Sequence, residues 1–285
     1  MAAVPLKRKL NRLKDILLSY KKVLVAYSGG VDSSFLLKCC RDYLGANVLA
    51  VTAASPTYTK KELKTAREIT RCLGASHKVI HTEEIDNPRF NTNPKNRCYY
   101  CKRELFSRLK AIAKREHINF ILDGSNDDDL KDYRPGAQAK KELGIRSPLA
   151  EAGLTKKDIR RLSYRVGLKT WDHPQSACLA SRFAYGQKID RKDLARIARA
   201  EDYLRSLGCK LVRLRHYQLP DKTKLARLEV NKKDIKKITS YQLPVTSYLK
   251  KLGYDYVTLD LEGYRMGSMN EGLKVTLARK RFHKV

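Results

Sequence analysis

The chain has 285 residues, 42% of them hydrophobic, enough to pack one large or two ordinary domains. Its 60 Lys and Arg residues outweigh 30 Asp and Glu, for a net charge of +30. A field of that sign suits a polyanion such as RNA, or small anionic substrates, although lysines spread over solvated faces give the same sum. No apolar run is long enough to span a bilayer, so no membrane partner is expected and the chain reads as cytoplasmic.

The N-terminus is basic and amphipathic, as transit peptides are. Leu6, Leu10, Leu13 and Leu17 nevertheless fall at helical spacing and lead straight into an apolar run, so a packed first helix is the better reading. That run, 23–27, predicts a buried strand. Ser28, Gly29, Gly30, Val31, Asp32 and Ser33 follow it, and a helix is expected from about Ser33, with Ser33 as its cap. Two adjacent glycines let the backbone turn sharply and aim N–H groups at an anion, and the helix adds the positive end of its dipole. No lysine stands in this loop, which separates it from the ATP loop ending in Gly-Lys-Ser/Thr. An ordinary glycine-rich turn is the plain alternative.

The pattern next predicts a helix over 33–44, a strand over 47–52, a charged helix over 59–73 and a strand over 77–81. Strands alternating with helices argue an α/β fold with a doubly wound parallel sheet. A loop over 83–97, rich in Pro and Asn, then delivers Cys98 and Cys101 to the start of a helix running to about His117. Thiols there, beside Arg97, Lys102 and Arg103, are expected to have lowered pKa values. One turn apart, they could face a single ligand or form a redox pair. The strand over 120–123 ends in Gly124, where a nucleotide could approach closely. Asp127, Asp128 and Asp129 could complete a Mg²⁺ shell, or Asn126 or Asp127 could simply cap a helix. Residues 132–136 look like a turn, and 155–167 like a basic helix.

Residues 171–186 show no clear period and hold both Trp171, the only tryptophan, and Cys178. Long irregular segments are often functional. The domain boundary is placed here, giving a nucleotide domain over 1–168 and a smaller α+β domain over 169–285. A helix is expected over 190–207, then strand, strand, helix, helix, strand. Arg213 and Arg215 share one face of the strand 210–216, and Arg227 and Glu229 one face of the strand 224–230. If these strands pair, that face is an arginine cluster for phosphate or carboxylate, or else a solvated polar face. After the last strand, 254–260, Gly263 and Gly267 would let Arg265 and Ser268 approach a ligand, or serve as turn residues only. Among the other cysteines, Cys39, Cys40 and Cys72 lie in helical patterns and read as small buried hydrophobes.

The loop Ser28 to Ser33 resembles the pyrophosphate-binding loop of the PP-loop ATP pyrophosphatases, which cut ATP between its α and β phosphates. The resemblance narrows with Asn93, Pro94, Arg97, Cys98, Tyr99, Tyr100, Cys101 and Lys102, and with the stretch from Gly124 to Gly136. It continues through Ala177, Cys178, Leu179, Ala180, Ser181 and Arg182, the strand residues Arg213, Leu214, Arg215 and His216, and the ending Leu259 to Arg265. Together these resemble the LarE family of ATP-dependent sulfur transferases, which help build the nickel-pincer cofactor of lactate racemase.

The resemblance implies a pyridinium dicarboxylate mononucleotide as substrate. ATP and Mg²⁺ would adenylate one carboxylate, and sulfur would displace AMP to leave a thiocarboxylate. It places Ala26, Ser28, Gly29, Gly30, Val31, Asp32, Ser33 and Gly124 around ATP and pyrophosphate, with Asp32 on the metal. It makes Asp32, Ser33 and Cys178 catalytic, and puts Arg213, Arg215 and Arg265 near the substrate's phosphate or carboxylates; Arg182 would join them at the substrate or else make an interface salt bridge. Family members with one cysteine, at the position of Cys178, give up their own sulfur. Those with three, here Cys98, Cys101 and Cys178, hold a [4Fe–4S] cluster that takes sulfide or another donor's sulfur. Zinc on the same thiols is the local alternative. A tRNA thiolase with like chemistry is the rival that the charge favours, and a non-catalytic RNA-binding protein is a further one. The oligomeric state is open, a homo-oligomer included.

Overall fold

Val23 and Val25 face one core and Leu24 faces another, so a strand of four residues is covered on both sides. The computed structural model describes residues 5–131, 135–174, 177–269 and 271. Contacts divide the chain into two units, Met1–Phe90 with Lys95–Ser176 and Asn91–Pro94 with Ala177–Val285.

The first unit alternates helix and strand, in the order α1 (Leu6–Tyr20), β1 (Val23–Ala26), α2 (Val31–Leu44), β2 (Val48–Ala54), α3 (Lys60–Cys72) and β3 (Ser76–His81). It continues with α4 (Pro88–Asn91), α5 (Arg97–Arg115), β4 (Phe120–Leu122), α6 (Pro135–Leu143), α7 (Pro148–Glu151) and α8 (Lys156–Arg165). The strands are parallel in the order β3-β2-β1-β4. This is the expected α/β, PP-loop-like sheet. The connections leave β1 on one side towards β2 and return on the other at β4, so the strand order reverses between β1 and β4.

Period-two alternation explains why both faces are apolar. Val23, Val25, Val48 and Ala50 pack with α1, α2 and α8, while Leu24, Leu49, Val51 and Ile121 pack with Phe106, Leu109 and Ile112 of α5. In α1, Leu13 and Leu17 are fully buried, each worth roughly 1.5–3 kcal/mol. Thr59 with Glu62 and Thr155 with Asp158 form reciprocal capping boxes that start α3 and α8.

The second unit contains α9 (Arg191–Ser206), β5 (Val212–Gln218), β6 (Lys224–Val230), α10 (Ile235–Ser240), α11 (Gln242–Lys251) and β7 (Tyr256–Leu259). β5 pairs antiparallel with β6, and β6 parallel with β7. Asn91–Pro94 joins this unit by hydrogen bonds. Asn93 donates through Nδ2 to the carbonyl of Ala184 at 2.6 Å, and its own carbonyl accepts from the Gly186 N–H at 3.0 Å.

Several expectations need correction. Helix α2 starts at Val31, with Gly30 in the cap position, so Ser33 lies inside the first turn rather than capping it. Cys72 is exposed, because it is the last residue of α3 and faces outward; Cys39 and Cys40 are buried as expected. Pro135 and Gly136 open α6 instead of closing a turn, while 132–134 lie outside the described residues. The arginine face of β5 and β6 is not solvated: Arg213, Arg215 and Glu229 are all buried. No described helix is long and apolar enough to cross a membrane.

His216 of β5 has no exposed surface. Its Nδ1 lies 3.2 Å from the Tyr254 hydroxyl and its Nε2 3.4 Å from an Asp193 carboxylate oxygen. Asp193 is already engaged by Arg196 and Lys224. Burial, then the charges of Arg196 and Lys224, lower the His216 pKa to about 4 against the opposing pull of Asp190. The unfolded chain takes up this proton near pH 6.5, and the folded chain only near 4. Stability present above pH 6.5 is therefore lost as pH falls towards 4, by up to roughly 3 kcal/mol. Urea denaturation of wild type and His216→Phe across that window should show a shallower pH dependence in the variant. Parallel curves would assign the acid sensitivity elsewhere.

Candidate active site

The glycine loop lies at the carboxyl end of β1, beside the end of β4, where a parallel sheet presents ligands. Gly29 has φ +74°, and a side chain there would also meet Ala66 of α3 at 3.2 Å. The Ser33 hydroxyl points back into the loop, 3.0 Å from Ser28 Oγ and 3.2 Å from the Gly30 carbonyl, which accepts its proton. Val31, Asp32 and Ser33 form the first turn of α2, so their N–H groups and the helix dipole face the loop. Ala26 ends β1 immediately before it.

From the β4 side, Gly124 meets the first turn of α2. A Cβ at Gly124 would lie 2.8 Å from the Ser33 backbone nitrogen and 3.0 Å from its Cα. Both atoms are backbone, so neither can swing away. The Gly124 loop is itself tied down: Asp123 accepts from Ser125 Oγ at 2.8 Å and Ser147 Oγ at 2.6 Å, and lies 3.0 Å from Lys140 Nζ.

Asp32 sits between the loops. Its Oδ2 lies 2.6 Å from Lys156 Nζ and 3.5 Å from Asn126 Nδ2, while its Oδ1 is buried without a hydrogen-bond partner. Burial raises the Asp32 pKa, and the Lys156 charge and hydrogen bond counter it; Asp129 pushes the same way as burial. A buried carboxylate oxygen with spare lone pairs fits a hard divalent cation, which takes one or two carboxylates and completes its shell with phosphate and water. Lys156 was not legible as a site residue. It lies far along the chain, and its only local signal is the Thr155 capping box that places it at the first position of α8.

Cys98 and Cys101 occupy the first two turns of α5, the former exposed and the latter half-buried. Spaced by three, they share one helix face. Helix α6 packs closely there: a Cβ at Gly136 would come 2.9 Å from Lys102 Cγ and 3.5 Å from the Cys98 carbonyl. The Tyr99 hydroxyl donates to Glu142 of α6 at 2.7 Å. Lys140, also on α6, reaches Ser125 Oγ at 2.7 Å, so one helix braces both the thiol pair and the Gly124 loop. No disulfide forms among the seven cysteines, and among the described residues no three His, Cys, Asp or Glu side chains gather to hold a metal ion.

The second unit holds Cys178 and the arginines. Arg182 is bidentate to Glu201, at 2.8 and 3.0 Å, and its Nη1 donates to the carbonyls of Ala177 at 2.7 Å and Cys178 at 3.2 Å. It thereby fixes the turn that carries the Cys178 thiol. Burial pushes the Glu201 carboxyl up, and the charges of Arg182 and Arg205 outweigh it, leaving the pKa lowered. Arg215 donates to Glu229 at 2.6 Å, to Ser268 Oγ at 3.0 Å and to the Ser181 carbonyl at 3.1 Å. Arg213 lies over the Tyr264 ring, 5.3 Å from its centroid. Arg265 pairs with Asp260, Glu262 and Glu271. The predicted arginine face exists, but Arg182 and Arg215 spend most of their donors on protein partners.

A family model described as NAD synthase matches residues 8–121, which contain the glycine loop and the thiol pair. An uncharacterized protein of Synechocystis sp. is 43% identical over 94% of this chain and 99% of its own length. The pyridinium-3,5-bisthiocarboxylic acid mononucleotide synthase of Lactiplantibacillus plantarum is 38% identical over 92% of each chain. An uncharacterized protein of Methanocaldococcus jannaschii is 30% identical over 90% of this chain and 98% of its own.

Gly124→Ala forces two backbone segments apart, at a cost of about 1–3 kcal/mol if both must shift. Calorimetric titration with ATP and Mg²⁺ should show binding weakened by about tenfold or more, a loss of ~1.4 kcal/mol. Normal affinity in that variant would remove this loop from the nucleotide site.

Proposed function

The chain belongs to the LarE family of PP-loop sulfur transferases, and from that premise we propose that it makes a thiocarboxylate on a pyridinium-3,5-biscarboxylate mononucleotide. The product is a precursor of a nickel-pincer cofactor. The observation that carries the reading is the Asp32–Lys156 pair, 2.6 Å apart, with Asp32 in the first turn of the helix that follows the glycine loop, whose backbone Gly124 abuts.

In this proposal a substrate carboxylate oxygen attacks the α-phosphorus of ATP. The bond to the β-phosphate oxygen breaks, and pyrophosphate leaves into the loop of Ser28, Gly29 and Gly30. The N–H groups of the first turn of α2 and the charge of Lys156 stabilise that leaving anion. Mg²⁺, held by Asp32 and phosphate oxygens, supplies further charge neutralisation when bound. A sulfur nucleophile then attacks the acyl carbon, the carbon–oxygen bond to AMP breaks, and a thiocarboxylate remains. AMP is a far better leaving group than hydroxide, which is the reason for spending ATP.

Cys98, Cys101 and Cys178 are the proposed sulfur-handling thiols, as ligands of a [4Fe–4S] cluster. A cluster held by these thiols would supply iron able to take up sulfide and pass it to the acyl carbon. Arg182 holds the Cys178 turn, while Arg213, Arg215 and Arg265 supply positive charge for the substrate's phosphate and carboxylates. A tRNA base is the second reading, favoured by the net charge of +30.

Protein reconstituted anaerobically with iron and sulfide should be brown, with about four irons per chain. Colourless protein holding zinc would refute the cluster while leaving adenylation intact. Supplied with ATP, Mg²⁺ and sulfide, it should convert the pyridinium mononucleotide to a thiocarboxylate, read by mass spectrometry, with release of pyrophosphate. Thiolation of bulk tRNA instead would overturn the substrate. Lys156→Met should slow pyrophosphate release by about tenfold or more, and an unchanged rate would remove Lys156 from the mechanism.

A further inference from the structure

Several helices of the first unit expose basic side chains, α3 with Lys60, Lys61, Lys64, Arg67 and Arg71 among them, and on α8 the basic face also carries exposed aromatic rings. Helix α8 and the segment after it expose Lys157, Arg161, Arg165 and Lys169, with Asp172 as the exposed acid. Lys157, Arg161, Tyr164 and Arg165 fall at helical spacing on the outward side of α8, while Ile159 and Leu162 face the core. Helix α1 joins this surface through the Lys9–Asp158 ion pair at 2.8 Å, which occupies the one acid of α8. Its exposed side adds Lys7, Arg8 and Arg12, with Asp15 as an exposed acid beside them.

Two aromatic rings stand in the middle of this charge. Tyr164 is 64% exposed and Trp171 41%, and their rings meet edge-on with centroids 5.0 Å apart. Such a pair leaves ring surface uncovered. The Trp171 segment is held in place from the helix: Arg160 donates to the carbonyl of Trp171 at 2.6 Å and to that of His173 at 2.7 Å. The platform is therefore pinned without using either ring. Nothing in the adenylation chemistry employs it.

We infer that the outer face of α8, with the adjoining flank of α1, binds single-stranded nucleic acid, the Tyr164–Trp171 pair serving as a base-stacking platform. Lysine and arginine neutralise successive phosphates, and an exposed aromatic face stacks a base of any sequence. A bilayer surface fits less well, since it needs a broad apolar helix face and α8 turns its apolar face inward. The inference stands independently of which substrate the enzyme thiolates, and it treats the nucleic acid as bound, not modified.

Trp171 is the only tryptophan, so its fluorescence reports on this face alone. Full-length protein is titrated with a labelled single-stranded oligouridylate at several salt concentrations, following anisotropy and tryptophan emission together. Binding should quench Trp171, and log affinity should fall linearly with log salt, with a slope of about 0.7 per phosphate contact. Tyr164→Ala should weaken binding by about tenfold. Arg161→Glu with Arg165→Glu should flatten the salt slope. Neither substitution touches the glycine loop or the thiols, so ATP-dependent thiolation of the pyridinium mononucleotide should be unchanged. Anisotropy change without quenching, or full affinity in both Tyr164→Ala and Trp171→Ala, would overturn the stacking platform. Quenching by phosphatidylserine vesicles but not by the oligonucleotide would overturn the nucleic-acid assignment.

Discussion

The close approach of Gly124 to the first turn of α2 is the constraint on which the proposed nucleotide site depends. With a Cβ only 2.8 Å from a backbone nitrogen, nothing larger than glycine fits without moving a strand end. This contact exists because β1 and β4 are hydrogen-bonded neighbours though far apart in sequence. It brings Asp32 from one loop and Asn126 from the other within hydrogen-bonding range, and both strand ends are held by apolar packing on two faces. The site is thus assembled by the sheet, and its polar groups sit on rigid supports.

Charge within that site is balanced locally. Asp32 is a carboxylate that burial disfavours, and Lys156 offsets the cost. An ion pair of this kind carries both charges that the proposed phosphoryl chemistry would use, one for a metal and one for a phosphate. Helix α6 adds a mechanical link within the same unit. Lys140 grips Asp123 and Ser125 at one point, while Gly136 and Glu142 press on the first turns of α5 at another.

The arginines of the second unit have a different character. Buried guanidinium groups need their donors satisfied, and here Glu201 and Glu229 satisfy many of them. The cost of burying those carboxylates is offset by shared arginines, which leaves a positive field without leaving every arginine available. Arg182 acts on the backbone of Ala177 and Cys178, so its contribution reaches the thiol through geometry. The exposed lysines and arginines of α1 and α8 form a separate, solvated population.

Local pattern alone determined the alternating strands and helices, the glycine loop, the thiol pair and the shared face of Arg213 and Arg215. Those features depend on two-residue and helical periods, on glycine and on short spacings, all of which act between near neighbours. Tertiary structure alone decided that Lys156 meets Asp32, that Gly124 abuts Ser33, and that Arg182 grips the Cys178 turn. It also decided that Gly30 rather than Ser33 caps α2, and that the arginine face of β5 is buried. Each of these turns on which strands become neighbours and which side of a helix meets the core, and such contacts between distant residues leave no mark in a local window.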